Sequence, residues 1–130
     1  MAEIIYTNIC VIGGGSGGLS VAARALQMGA KSILIERGKM GGDCLNTVCI
    51  PSKALLAAGR AANAAAGNPA MGIHLRADPE IDFSAVKAHV ADVIAGIAPH
   101  DSVKRFTDLG VRVIQAEQIH PSSYVLPMAI

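Results

Sequence analysis

Two cysteines and a run of glycines are the residues of this chain best suited to chemistry. Cys44 and Cys49 stand in GGDCLNTVCIPSK, a C-x4-C pair. Thiols this close can interconvert between dithiol and disulfide, exchanging two electrons and two protons. An ideal helix separates positions five apart by about 7.5 Å along its axis, whereas bridged cysteines need Cα atoms within about 7 Å. The spacing therefore predicts a distorted helical segment. Pro51, with no N–H for the Thr47 carbonyl, is consistent with that, and the interruption is expected near it. Two other readings of the pair stay open, as small buried hydrophobes or as half of a metal site. Metal sites usually use shorter C-x-x-C spacing and further ligands. His74, His89, His100 and His120 are scattered without ligand spacing, so no metal site is expected. Cys10, inside the apolar run TNICVI, reads as core packing.

The glycines lie in GGGSGG, where Gly13, Gly15 and Gly18 satisfy G-x-G-x-x-G around Ser16. In that pattern the first glycine permits a tight turn, the second lets backbone approach a pyrophosphate, and the third lets a helix pack against a strand. A helix N-terminus adds unpaired N–H groups and partial positive charge for phosphates. Glu36 closes the next apolar run about 20 residues later, the spacing at which a carboxylate accepts hydrogen bonds from an adenosine ribose. A carboxylate there repels a 2′-phosphate, so the site expects FAD or NAD rather than NADP. The plainer readings are a ligand-free turn and an ordinary exposed glutamate.

These residues need elements to position them. Residues 7–12 read as a buried parallel strand, 13–18 as the turn, 19–28 as a helix stopped by Gly29, and 32–36 as a second buried strand. Residues 37–42 form a loop, and the chain reads as helical from Asp43 to about Ala66. Asp82 reads as an N-cap for FSAVKAHVADVIAGIA, followed by a short helix over 101–109 and a third strand over 111–114. The tail from Glu117 has no clear period. The fold class expected is α/β, with 1–130 a partial Rossmann-like domain. Its parallel sheet is incomplete, and a long helical insertion between strands two and three serves a site.

Composition narrows the functions. The 130 residues are 52% hydrophobic but only 3% aromatic, so Ala, Ile, Val and Leu must supply the core. Charged residues at 16% are few for a free-standing domain and point to surface meant to be covered. A net charge of +1 gives no field for nucleic acid or an anionic membrane. Three cysteines argue against a secreted disulfide framework. No signal-peptide pattern opens the chain and no apolar run reaches a membrane span, so a cytoplasmic location with no membrane partner is expected.

The run VIGGGSGGLSVAARALQMGAKSILIE with MGGDCLNTVCIPSKALL closely resembles the N-terminus of the class I pyridine nucleotide-disulfide oxidoreductases. That family includes dihydrolipoamide dehydrogenase, glutathione reductase and mercuric reductase. A weaker resemblance covers IAPHDSVKRFTDLGVRVI. GGDCLN and DSVKRFTDLGV look most like the mercuric-reductase-like branch. The resemblance implies an FAD-dependent enzyme carrying electrons from NAD(P)H through FAD to a Cys44–Cys49 disulfide. The substrate would be a disulfide, a dithiol or a metal ion. Cys49 would stand beside the flavin and Cys44 would attack the substrate. Lys53 would place a positive charge near the reactive end of the flavin. Gly41, Gly42 and Asp43 would line the phosphates and ribityl chain, with Ser16 and Arg37 as further cofactor contacts and Ala116 offering backbone to the adenine. Complete family members form homodimers.

The chain departs from the family pattern in two respects. Val48 stands where the family usually has glycine, and a β-branched residue there is expected to crowd the bend. The nicotinamide-binding and dimerisation domains, with their His–Glu pair, are expected to be absent. So are the N-terminal metal-binding motif and the C-terminal cysteine pair of some mercuric reductases. The 130 residues alone are thus expected to be catalytically incomplete. Two alternatives remain. A non-enzymatic nucleotide-binding or thiol redox-sensing module would use the pair as a switch, and an NAD-dependent dehydrogenase would have no use for a dithiol at this position.

Overall fold

The computed structural model describes residues 4–75 and 77–116. Three parallel strands, β1 (Ile9–Ile12), β2 (Ser32–Glu36) and β3 (Arg112–Gln115), lie in the order β1-β2-β3. Val11, Leu34 and Val113 stand in register across them. Helix α1 (Ser16–Gln27) connects β1 to β2. Helices α2 (Gly42–Asn46), α3 (Cys49–Ala65), α4 (Phe83–Ile97) and α5 (Val103–Leu109) all fall between β2 and β3. The α/β class, the parallel sheet and the helical insertion are those expected from the sequence.

The apolar run SILIE makes β2 the central strand, and four of its five residues are buried. Leu34, fully buried, meets Val11, Leu19, Ala22, Phe106 and Val111 in the core. Burying a leucine side chain contributes about 1.5–3 kcal/mol. Ala22 and Ala25 are the buried small residues that let α1 lie close to the sheet. Asp82 caps α4 as expected, its carboxylate accepting from the Ser84 and Ala85 N–H groups at 2.8 and 3.1 Å. At the end of α5, Gly110 has φ 104°, and the Val111 N–H still donates to the Phe106 carbonyl at 3.0 Å. Val111 therefore belongs to the helix end, and β3 starts one residue later than expected.

Three expectations need correction. β1 begins at Ile9 rather than residue 7, because the N–H groups of Asn8 and Ile9 both turn onto the Lys31 carbonyl before the ladder starts. Cys10 is exposed instead of buried in the core. α1 packs on the face carrying Ile9 and Val11, and strand alternation turns Cys10 and Ile12 to the opposite face, where Ile12 is 63% exposed. The helix expected over 101–109 is split into a 3-10 turn, Ala98–Asp101, and α5. Ser102 separates them, its Oγ accepting from the Arg105 N–H at 3.2 Å. His120 and the tail lie outside the described residues.

Candidate functional site

The site is built from two backbone loops that touch. Gly13 anchors the first, its N–H donating to the Ile35 carbonyl at 2.8 Å. Gly15 precedes α1 with no side-chain cap, so the first N–H groups of a 12-residue helix have no side-chain acceptor. A Cβ on Gly18 would collide with the Gly13 carbonyl oxygen, as the third glycine of the motif requires. The second loop lies on the first. The Gly41 N–H donates to the Gly14 carbonyl at 2.8 Å, and Gly15 and Gly41 form a parallel bridge. Gly42 has φ 56°, and a Cβ there would lie 2.9 Å from the Gly15 Cα. Asn46 closes this loop, its Nδ2 donating to the Met40 and Gly42 carbonyls at 3.1 and 2.8 Å. Sequence reasoning did not single out Asn46. Its only signal was its place in GGDCLN.

Glu36 is buried at the C-terminal end of β2. One carboxylate oxygen accepts the Gly14 N–H and the other the Gly38 N–H, the latter at 2.6 Å. Burial pushes this carboxyl up. The N–H groups of Gly38, Gly14 and Arg37, with the Arg37 charge, outweigh it and hold the group below the ordinary carboxylate value. Each oxygen keeps lone-pair capacity for a further donor, so the carboxylate can brace the glycine turn and still accept from a ribose. Gly14 and Gly38 were missed as its partners, since backbone donors leave no side-chain signal.

The other expected contacts fall around this centre. Ser16, the first residue of α1, and Arg37, following Glu36, are both exposed. The Ala116 N–H donates to the Glu36 carbonyl at 3.0 Å. Ala116 is thus held at the end of β2, and its N–H is already engaged. Asp43, in the first turn of α2, is exposed, and its carbonyl accepts the N–H groups of Thr47 and Val48 at 2.9 and 2.8 Å.

The dithiol follows directly from the second loop. Cys44 is on α2, one residue beyond Asp43, and Cys49 is the first residue of α3. The expected helix distortion is present and lies at Thr47 and Val48, between α2 and α3, just before Pro51. Pro51 is the third residue of α3, where a missing N–H breaks no helical bond. Val48 has φ −120° and ψ −81° and is 56% exposed. Its φ is not left-handed and its side chain is largely exposed. Both cysteines are free thiols. Hydrogen bonding to Cys49 pushes the Cys44 thiol up, assisted by partial burial and the charge of Cys49, with Lys53 opposing and Asp101 reinforcing the rise. Lys53 stands one turn beyond Cys49 on α3 and is exposed.

Among the described residues no group of three or more His, Cys, Asp or Glu can hold a metal ion, and no helix is long and apolar enough to cross a membrane.

A βαβ unit with paired glycine loops, a carboxylate at the end of its second strand and an adjacent pair of cysteines defines a Rossmann-like domain. Residues 7–120 match the family model described as pyridine nucleotide-disulphide oxidoreductase, and the chain belongs to that family. It is 44% identical over 93 residues to a dihydrolipoyl dehydrogenase of Haloferax volcanii, an alignment covering 69% of this chain and 19% of that relative. It is 35% identical over 107 residues to a mercuric reductase of Bacillus cereus, covering 82% and 17%. With the mitochondrial dihydrolipoyl dehydrogenase of Schizosaccharomyces pombe identity is 60% over 50 residues, 38% of this chain and 10% of the relative. The chain spans less than a fifth of the length of these relatives.

Proposed function

We propose that this chain is the FAD-binding, dithiol-carrying N-terminal part of an oxidoreductase that uses NAD(P)H to reduce a disulfide or mercuric-type substrate. One observation carries the reading. The cradle and the dithiol are continuous, since Gly42 packs on Gly15, Cys44 stands two residues on in α2 and Cys49 opens α3.

The cradle fits a dinucleotide. Gly13, Gly15, Ser16 and Gly18, with the open N-terminus of α1, would hold a pyrophosphate. Glu36 would accept from the ribose, with Arg37 and Ala116 near the base. Gly41, Gly42 and Asp43 would line the path toward the cysteines. Bound FAD would supply two-electron chemistry between a nicotinamide donor and the dithiol. The protein's own part is to keep two thiols within bonding reach and to place Lys53 where positive charge favours an anion. Cys44 is the thiol proposed to attack the substrate sulfur or metal, and Cys49 the one that then closes the disulfide.

Titration of the purified chain with FAD, followed by absorbance and flavin fluorescence, tests this. The expected result is saturable, weak binding that Glu36→Gln weakens further, with no NADH-driven turnover by the 130 residues alone. A chain that forms its disulfide reversibly yet shows no saturable FAD binding would instead be a thiol-sensing module.

A further inference from the structure

Asn46 is the last residue of α2 and is half-buried. Its Nδ2 donates to the Met40 carbonyl at 3.1 Å and to the Gly42 carbonyl at 2.8 Å. Both partners can only accept, so the amide nitrogen must face them and both of its hydrogens are used. The Gly42 bond stays within one helical turn, but the Met40 bond reaches six residues back, into the loop before α2. Between those two carbonyls stands Gly41, whose N–H donates to the Gly14 carbonyl at 2.8 Å. Gly42 in turn lies on the Gly15 Cα. One side chain thus holds the stretch of backbone that rests on the first glycine loop. The same side chain belongs to the helix of the first cysteine, since Cys44 stands two residues before Asn46 on a helix of five residues. A helix that short does not hold itself. The Thr47 and Val48 N–H groups close it on the Asp43 carbonyl at 2.9 and 2.8 Å. Buried Leu45 packs over Gly41, where an added Cβ would collide with it.

We propose, resting on the reading of the two loops as a nucleotide cradle, that Asn46 is a positioning residue joining that cradle to the helix of Cys44. It acts through the backbone of residues 40–42. Its amide fixes that backbone to α2, while Gly41 and Gly42 fix it to the first loop, so loosening one side loosens the other. Such a link is reciprocal. A ligand that steadies the cradle also steadies the helix that carries Cys44, and a change in that helix alters the affinity of the cradle.

Native-state hydrogen exchange of the full chain, read residue by residue by NMR, tests this without flavin or turnover. Asn46→Ala is expected to lower the protection of the Gly41, Thr47 and Val48 amides about tenfold, the scale of a lost hydrogen bond, while the amides of β2 keep theirs. Asn46→Asp keeps the shape of the side chain but sets a carboxylate against two carbonyl oxygens, so at pH 7 it should lose at least as much. Near pH 4 the new carboxyl is partly protonated and can donate one bond again. Protection should then partly return in Asn46→Asp and not in Asn46→Ala, a rescue that a side chain serving only to fill space would not give. FAD titration of the same variants should show about tenfold weaker binding by Asn46→Ala. Circular dichroism checks that each variant is folded. A folded Asn46→Ala chain with wild-type protection at Gly41, Thr47 and Val48 overturns the proposal, as does a loss shared equally by β2, or wild-type amides with no protection to lose. Exchange that responds as expected in a chain that binds no FAD would count against the proposed function alone.

Discussion

Gly42 lies on Gly15 so closely that a methyl group on Gly42 would sit 2.9 Å from the Gly15 Cα. The loop that leads into the dithiol is thereby fixed to the loop that opens α1. Gly42→Ala adds a collision with backbone to a left-handed φ, and is expected to cost about 2 kcal/mol or more. Gly29→Ala is the control. Its φ is 79° but nothing lies within 4 Å of the added carbon, so only strain of about 1 kcal/mol is expected. Urea unfolding followed by circular dichroism compares the two. Equal losses would mean that the loop–loop contact contributes nothing.

Glu36 gives the fold a defined acid sensitivity. Its carboxyl is held below the ordinary value in the folded chain. The folded state thus binds this proton less readily than the unfolded chain. The resulting stability is fully present above the unfolded value of about 4.3 and is lost as pH falls through the lower folded value. Glu36→Gln should cost about 1–3 kcal/mol at pH 7, the scale for hydrogen bonds to a charged group. The gap between wild type and variant should narrow only below about pH 5. Denaturation midpoints at pH 7, 5 and 4 check this. A gap that grows on acidification would reverse the assigned sign.

The sequence pattern revealed what depends on local order and missed what depends on tertiary contact. G-x-G-x-x-G and the apolar run before Glu36 marked the cradle, because strand, turn and helix there are contiguous. The need for a distorted segment between Cys44 and Cys49 followed from helix rise alone. The break falls at Thr47 and Val48, near Pro51 as expected but not caused by its ring, because a proline in the first turn of a helix breaks nothing, and no residue type announces that α3 starts at Cys49. Cys10 was misread because an apolar strand run does not tell which face a helix will cover.

The exposed position of Cys10 has its own consequence. Cys10→Ser removes no core contact, so stability should change by no more than about 0.5 kcal/mol. In the native chain Cys10 should react with a thiol reagent without prior unfolding. Peptide mapping after a brief native-state pulse distinguishes it from the other two thiols. Labelling that appears only in denaturant would return Cys10 to a buried site.

The influence of Cys49 on Cys44 can be tested from one side. Hydrogen bonding to Cys49 is the first cause of the raised Cys44 value, and the charge of Cys49 adds to it. Cys49→Ala removes both, leaving partial burial and Asp101 to raise the Cys44 thiol against Lys53. The midpoint of Cys44 alkylation with pH should therefore fall toward the ordinary thiol value of about 8.5. The rate at high pH, where the sulfur is fully ionised in either protein, should change much less. The two quantities separate a shift in ionisation from a change in access, because opening the site by shortening residue 49 would raise the rate at every pH. A midpoint that stays in place while the plateau rises would mean that the two thiols are neighbours without a shared proton.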